Sequence, residues 1–521
     1  MPLSLPLDNR ERCPIRPHTK GMKVVSATDS SLTGEASAMR TSDAGTHHRN
    51  RSASMSDSPA GIGIPDQITT PLGTFDFFDG VPLPETTRKL YDGLDFIRGV
   101  DVFLNAVPGA SLVAMRRGFR SVGVDGLNVL GLTDPRANSN SYFLTPNTET
   151  AYGTMFIDLH DGPVVIEPPT NSLCVVDDFW FRYVADMGIA GPDKGEGGKY
   201  LFLPPGYDGV EPDGYYVYRT ATYTNWVVFR ALAGIDAIKQ TRVYRLADAE
   251  NPPAMTFVNL AEQVLNTVHS NDFSFFEEVD ELVQEEPAGT LDPERAGQLA
   301  GIGIEHGRTF APDTRLKNIL DTAATTAAGI SRALAFFPRS PENFVFEGAS
   351  WKEAFVGGSY EFLGNHARLL DARTQFHYLA TVITPAMAHA QVGAGSAYTY
   401  TAQDSNGRLL DGGKAYRLVL PPNPPAKNFW SVDIYDTQTR SLLQTDNPYP
   451  SLMSLSGTVA EEQDGSLVLW FGPSAPEGKE ANWIQTVPDK SWFPIIRLYG
   501  PLQPWFDKAW QPGEIEETSQ D

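Results

Sequence analysis

Residues 428–501 constrain the fold more than any other part of this 521-residue chain. The stretch opens Asn428-Phe429-Trp430-Ser431-Val432-Asp433-Ile434-Tyr435-Asp436. It continues through Asp464-Gly465-Ser466-Leu467-Val468-Leu469-Trp470-Phe471-Gly472-Pro473 and Asn482-Trp483, and ends Arg497-Leu498-Tyr499-Gly500-Pro501. Three short apolar runs bounded by Gly, Pro, Asn or Asp predict antiparallel strands joined by turns. Side chains alternate across a strand. In the first run this puts Trp430, Val432 and Ile434 on one face, which must be covered. Phe429, Ser431, Asp433 and Tyr435 share the other face, where a site can lie.

A second β region runs over about residues 141–246. Ala151, Gly153, Met155, Ile157 and Leu159 alternate with Thr150, Tyr152, Thr154, Phe156 and Asp158. Further strands are expected at 164–166, 172–184, 200–203, 215–219 and 225–230, with turns at Asp161-Gly162-Pro163, Pro204-Pro205-Gly206 and Asp213-Gly214. Short strands at this spacing indicate a sandwich or barrel. Helical spacing fills the remainder. Leu90, Leu94, Ile97 and Val100 recur within residues 84–120, where Pro108 predicts two helices instead of one. Residues 253–339 read as four helices. The first carries Phe257, Leu260, Ala261, Val264, Leu265 and Val268; the second carries Phe275, Phe276, Val279, Leu282 and Val283. Asp292 caps the third, with Pro293 at its first position, and residues 319–334 form the fourth. Another helical stretch, broken near Pro385, covers 351–392.

The expected organisation is a disordered tail over 1–65, N-terminal helices over 84–120, a β domain over 121–250, a helical region over 251–392, a β domain over 393–512 and a loose acidic tail over 513–521. The fold class is mixed α and β, with two antiparallel β-sandwich domains separated by a helical domain.

A net charge of −23 argues against nucleic acid and anionic membranes as partners. No apolar run approaches the ~18 residues of a membrane helix, and no apolar segment of signal-peptide type opens the chain. A cytoplasmic location is the expectation. Cys13 and Cys174 make no disulfide framework and no CxxC pair. His366 and His377, on one helix, would stand about 16 Å apart, too far to share a zinc ion. His160, His269 and His306 are isolated, and no HExxH or GxSxG occurs. Gly301-Ile302-Gly303-Ile304 lacks the spacing of a dinucleotide loop. No metal site is assigned, and the cofactor is unknown.

Two polar clusters remain. The first, Asn147, Thr148, Glu149, Thr150 and Tyr152, sets a carboxylate beside an amide and a phenol, which can orient a polar substrate. It also suits a turn whose side chains tie down the backbone. The second is Asp433, Tyr435, Asp436, Asn482, Trp483, Arg497 and Tyr499. There Arg497 can take a carboxylate through paired hydrogen bonds, or can lock the domain internally by pairing with Asp433. Met115, Arg116, Arg117 and Arg120 suit a helix C-terminus or an anion site.

The run Thr145-Pro146-Asn147-Thr148-Glu149-Thr150-Ala151-Tyr152, with Ile157-Asp158-Leu159 and Gly162-Pro163-Val164, resembles the DUF1254 family. Phe429-Trp430-Ser431, Tyr435-Asp436, Asp464-Gly465-Ser466, Asn482-Trp483 and Arg497-Leu498-Tyr499-Gly500-Pro501 resemble the DUF1214 family. The resemblance covers about residues 85–512. It implies two jelly-roll-like β-sandwiches flanking a helical domain, and keeps an exported location as an alternative. It implies no reaction.

Three functions compete. One is an enzyme acting on a small organic substrate in a cleft between the β domains. Glu149 and Asp433 would do acid–base work, and Tyr152 and Arg497 would hold developing charge. Asn147, Tyr435, Asn482, Trp483 and Tyr499 would bind the ligand. The second is a non-catalytic binder of apolar or carbohydrate-like molecules, on the strength of 28 Phe, 19 Tyr and 9 Trp. The third is an envelope or assembly protein whose aromatic strands make a homo-oligomer interface.

Overall fold

The computed structural model describes residues 61–519, so the expected disorder of 1–65 falls almost wholly outside the described residues. The chain divides into two units, Met1–Ile64 and Pro65–Asp521, and every element below belongs to the second.

The first β region builds two sheets on one core. The larger has six strands in the order Thr256–Asn259, Val129–Leu132, Gly153–Asp158, Thr224–Ala231, Ser172–Asp178, Tyr183–Gly188. The smaller runs Tyr216–Arg219, Tyr200–Leu203, Val164–Glu167, Arg242–Arg245. Val227 and Phe229 of the larger sheet share a buried cluster with Val164, Phe202 and Val243 of the smaller. Their neighbours Trp226, Val228 and Arg230 must therefore point out of that core.

The second β region repeats the plan. Its five-stranded sheet runs Lys352–Glu353, Ser396–Tyr400, Trp492–Pro501, Ala426–Asp436, Ser451–Met453; a four-stranded sheet runs Trp483–Gln485, Leu467–Gly472, Ala415–Leu420, Glu516–Thr518. Trp430, Val432, Ile434, Ile496 and Leu498 pack with Leu418, Leu469 and Phe471 between the two. The face expected to be covered is covered. The sheets are mixed, however, not purely antiparallel: Thr256–Asn259, Tyr216–Arg219 and Trp483–Gln485 each pair in parallel.

Helices fill the space beside the two large sheets. Pro84–Ser121 is one helix of 38 residues, not two. A proline removes the hydrogen bond to the carbonyl four residues earlier. Here that carbonyl, Leu104 O, accepts Thr374 Oγ1 at 2.9 Å, so the helix continues through Pro108 with its exposed acceptor satisfied. The same helix comes so close to a neighbouring loop that a Cβ on Gly118 would meet Asn266 O at 2.3 Å. By length and composition it is able to cross a membrane, yet 61% of its most apolar window is buried within the protein. Its basic end is neutralised locally: Arg116 and Arg117 pair with Glu281 of helix Ser274–Glu285, and Arg120 pairs with Asp125.

Three other expectations need correction. The predicted helix at 257–268 is the strand Thr256–Asn259 followed by a single turn, Leu260–Glu262. The strand finds a partner in Val129–Leu132, Asn259 caps the turn by accepting Ala261 N, and Val264 is left 75% exposed. The stretch 351–392 holds only the helices Leu370–Leu379 and Pro385–Ala388. The acidic tail is anchored through residue 518, where Glu516–Thr518 adds an edge strand and Glu516 and Glu517 meet Arg417, Arg408 and Lys414. Asp292 does cap the helix Pro293–Ala300, and Thr314–Phe336 extends the predicted fourth helix.

Candidate functional site

The outward faces of the two large sheets look at one another across a cavity of ≈ 730 Å³. Alternation decides what each contributes. Strand Thr224–Ala231 gives Trp226, Val228 and Arg230; strand Trp492–Pro501 gives Ile495, Arg497 and Tyr499; strand Ser396–Tyr400 gives Ser396, Tyr398 and Tyr400. Helix Leu370–Leu379 closes one side with Gln375, Phe376 and Leu379. Most of the wall is apolar; Asn147, Tyr152, Tyr499 and the two arginines form one polar corner of it, while Asp186, Gln375 and Asn428 also line it.

That polar corner exists because the loop 145–149 of the first β region is fastened onto the second. Arg497 Nη2 donates to Thr145 O at 2.9 Å, and Tyr435 Oη donates to Pro146 O at 2.6 Å. Thr148 Oγ1 reaches Asp433 Oδ1 at 3.2 Å and Ser451 Oγ at 2.6 Å. Thr145 takes a positive φ of 38°, a conformation a β-branched residue adopts only under tertiary constraint.

Asn147 Nδ2 donates to Tyr152 Oη at 2.6 Å and to Tyr499 Oη at 3.0 Å. Tyr499 Oη in turn donates to Glu149 Oε2 at 3.0 Å. The other carboxyl oxygen, Glu149 Oε1, is sealed from solvent and has no donor. Burial first, and then the Asp433 carboxylate, push the Glu149 carboxyl up to about 8, against the opposing pull of Arg497 and the Tyr499 hydroxyl. A neutral Glu149 resolves the orphaned oxygen, because its proton can go to Asp433. Burial and the same Glu149 hold the Tyr499 phenol well above its ordinary range.

Asp433 is satisfied without any ligand. It accepts Arg497 Nη1 at 2.7 Å, Ser431 Oγ at 3.1 Å and Thr148 Oγ1. The Arg497–Asp433 pair is thus an internal lock, with Arg497 showing one edge to the cavity.

Residues 127–249 match the family described as Protein of unknown function (DUF1254), and residues 395–503 match that described as Protein of unknown function (DUF1214). The chain joins these two domains. The VPA0106 protein from Vibrio parahaemolyticus is 19% identical, with a TM-score of 0.48 over 81% of this chain and 100% of that one. An uncharacterized protein from Burkholderia cenocepacia is 12% identical, with a TM-score of 0.34 over 83% of this chain and 97% of that one. No curated protein matches the chain.

The DUF1254 loop and the outer face of the DUF1214 sheet therefore make one corner. Asn147, Tyr152, Arg497 and Tyr499 line the cavity, and Glu149 and Asp433 stand behind them. Tyr435 is fully buried against Phe493 and does not line the cavity. Asn482 and Trp483 are elsewhere. Asn482, ending a short turn, ties Ala460 to Val468, and Trp483, opening the next strand of the small DUF1214 sheet, donates its Nε1 to Gly472 O, on the far side of the core. Their polar groups are consumed by backbone, which is why a motif rich in amide and indole holds a fold and not a ligand.

Arg230 and Tyr398 line the cavity but belong to neither sequence cluster. The signal for Arg230 was present: it sits two and four residues from Val228 and Trp226, a cation on an otherwise apolar face. What was missing was the face opposite.

Proposed function

We propose that the protein acts on a small, largely apolar organic molecule held in the cavity between its DUF1254 and DUF1214 domains. The observation that carries this is the cavity itself: ≈ 730 Å³, apolar over most of its wall, with a hydrogen-bonded polar cluster at one corner. Sites for small molecules have this size and this distribution of polarity, and favour domain interfaces. Each domain is read here as a two-layered, jelly-roll-like sandwich, supported by the pairing of a large and a small sheet over one core.

The chemistry proposed is proton transfer. Tyr499 meets the ligand, and Glu149, held near pH 8, stands behind it as the proton reservoir. A carboxyl with this range can give or take a proton at neutral pH. Binding without chemistry is the second reading, favoured by the internal satisfaction of Asp433 and Arg497.

The test begins with small molecules extracted from the purified protein and identified by mass spectrometry. A cavity-filling Val228→Phe variant should carry less of whatever wild type retains. Incubation of that molecule with wild type, Glu149→Gln and Tyr499→Phe then separates the readings. Conversion by wild type alone supports proton transfer; prolonged retention unchanged supports binding. Equal retention by wild type and Val228→Phe would remove the cavity from consideration.

A further inference from the structure

The cavity wall holds a cation that no described residue pairs. Arg230 donates no side-chain hydrogen bond and makes no ion pair among the described residues, and its Nε is sealed from solvent without an acceptor. The register explains this. Arg230 lies opposite Leu173 on one neighbouring strand, while Phe229, beside it, lies opposite Gly153 on the other. Neither strand brings a carboxylate to that position; Asp177, Asp178 and Asp158 lie at the other ends of the two strands. The guanidinium instead lies over the Tyr499 ring, 5.2 Å from its centre, with Tyr152 and Tyr398 nearby.

The acids within reach do not cancel it. Glu149 is the nearest, and its carboxyl is largely neutral at pH 7 for the reasons given above. Asp186 also lines the cavity but is on the second strand over, where it accepts Thr384 Oγ1 at 2.8 Å. Arg230 is half-buried, with its Nε sealed from solvent, and the surrounding phenols and Glu149 favour its charged form without pairing it. It is also arranged as a receptor, since its planar fork matches a carboxylate.

We propose that Arg230 receives the carboxylate of a small apolar monocarboxylic acid, whose hydrocarbon body lies along Leu173, Val175, Val228, Phe376 and Ile495. This rests on the reading of the cavity as a ligand site and narrows it to one class. A single unpaired cation matches a single negative charge. The phenols of Tyr152 and Tyr398 lie on the same wall and can donate to that carboxylate, and Arg497 and Asp186, the other charged groups on the wall, are already engaged within the protein.

The experiment compares matched probes on the full chain by isothermal titration calorimetry: decanoate against decanol, and 2-naphthoate against 2-naphthol. Wild type should bind the acid of at least one pair about tenfold or more tighter than its alcohol, the worth of one charged hydrogen-bonded contact. In Arg230→Gln that preference should collapse while the alcohol still binds. Arg230→Lys, which keeps the charge but not the fork, should retain part of it. Equal acid and alcohol affinity in wild type, or an acid preference that survives in Arg230→Gln, overturns the proposal while leaving the cavity as a site. Failure of all four probes to bind would remove the cavity reading as well.

Discussion

The two large sheets each aim one arginine at the same cavity, and the two arginines are solved differently. Arg497 is on the middle strand of the DUF1214 sheet, directly opposite Ser431 and diagonal to Asp433. Its strand neighbour supplies the counter-charge at 2.7 Å. Arg230 is on an inner strand of the DUF1254 sheet, opposite Leu173, and has none. Both arginines face the same space, Arg497 buried and Arg230 half-buried, and that difference alone does not decide which of them is paired. The partner strand does. A buried cation with its own carboxylate belongs to the fold; one without it waits for something the chain does not carry.

The largest effect should come from breaking the satisfied pair. Asp433 is fully buried and Arg497 nearly so. Removing one partner of such a pair leaves an uncompensated charge, and Asp433→Ala should lose about 3–5 kcal/mol of unfolding free energy in urea. Arg497→Met should lose a similar amount. The double variant Asp433→Leu with Arg497→Met should recover much of it, because the charges leave together. If the single variants unfold at the wild-type midpoint, the pair is no lock and the contrast with Arg230 dissolves.

Glu149 sharpens the contrast through pH. Its folded carboxyl is pushed up to about 8 from an ordinary 4.5. Below pH 4.5 both folded and unfolded chains hold the proton. Between 4.5 and 8 the folded state keeps a proton that the unfolded state has released, so stability falls as pH rises through this window. Above about 8 the folded state must carry the buried charge. Glu149→Gln cannot ionise, so its stability relative to wild type should grow from pH 5 to pH 9, by an amount on the order of a few kcal/mol. Glu278 and Glu286, each pushed up to about 7 chiefly by burial, titrate alike in both proteins and cancel in the difference. Parallel stability curves across that range would mean that Glu149 is ionised in the folded protein and that Arg230 already has its counter-charge.

Strand faces were legible in the chain because their period is local. Trp430, Val432 and Ile434 went to the core as alternation required, and Phe429, Ser431 and Asp433 to the face that meets the DUF1254 loop. The polar run at 147–152 and the Arg497–Tyr499 strand each drew notice for its own composition. That they form one corner rests on contacts between residues about 350 apart in sequence, such as Asn147 to Tyr499. No local pattern encodes such a meeting. The same holds for errors. Pro108 reads as a break because the hydroxyl that rescues Leu104 O comes from Thr374. Asn482 and Trp483 read as ligand groups because their acceptors, Ala460 in a loop and Val468 and Gly472 on strand Leu467–Gly472, are brought to them by a chain path the sequence does not draw.

The smallest effect is the most discriminating. In the empty protein, Arg230→Met exchanges an unpaired guanidinium for an apolar chain of comparable reach on a wall that is already apolar. Nothing loses a hydrogen bond, since Arg230 donates none, and only its contact with the Tyr499 ring is given up. Such contacts are worth about 0.5–1 kcal/mol at exposed sites and about 2 when desolvated. Because Arg230 is half-buried and has no ion-pair partner, the net change in unfolding midpoint should be small, within about 1 kcal/mol, where Arg497→Met gives a fall several times larger. Decanoate should then separate wild type from Arg230→Met. A ligand that binds only the folded state stabilises it in proportion to its occupancy, so decanoate should raise the wild-type midpoint and leave Arg230→Met nearly still. If Arg230→Met destabilises the empty protein as much as Arg497→Met does, then Arg230 is structural too, and the two sheets have solved the same problem in ways the partner strands do not reveal.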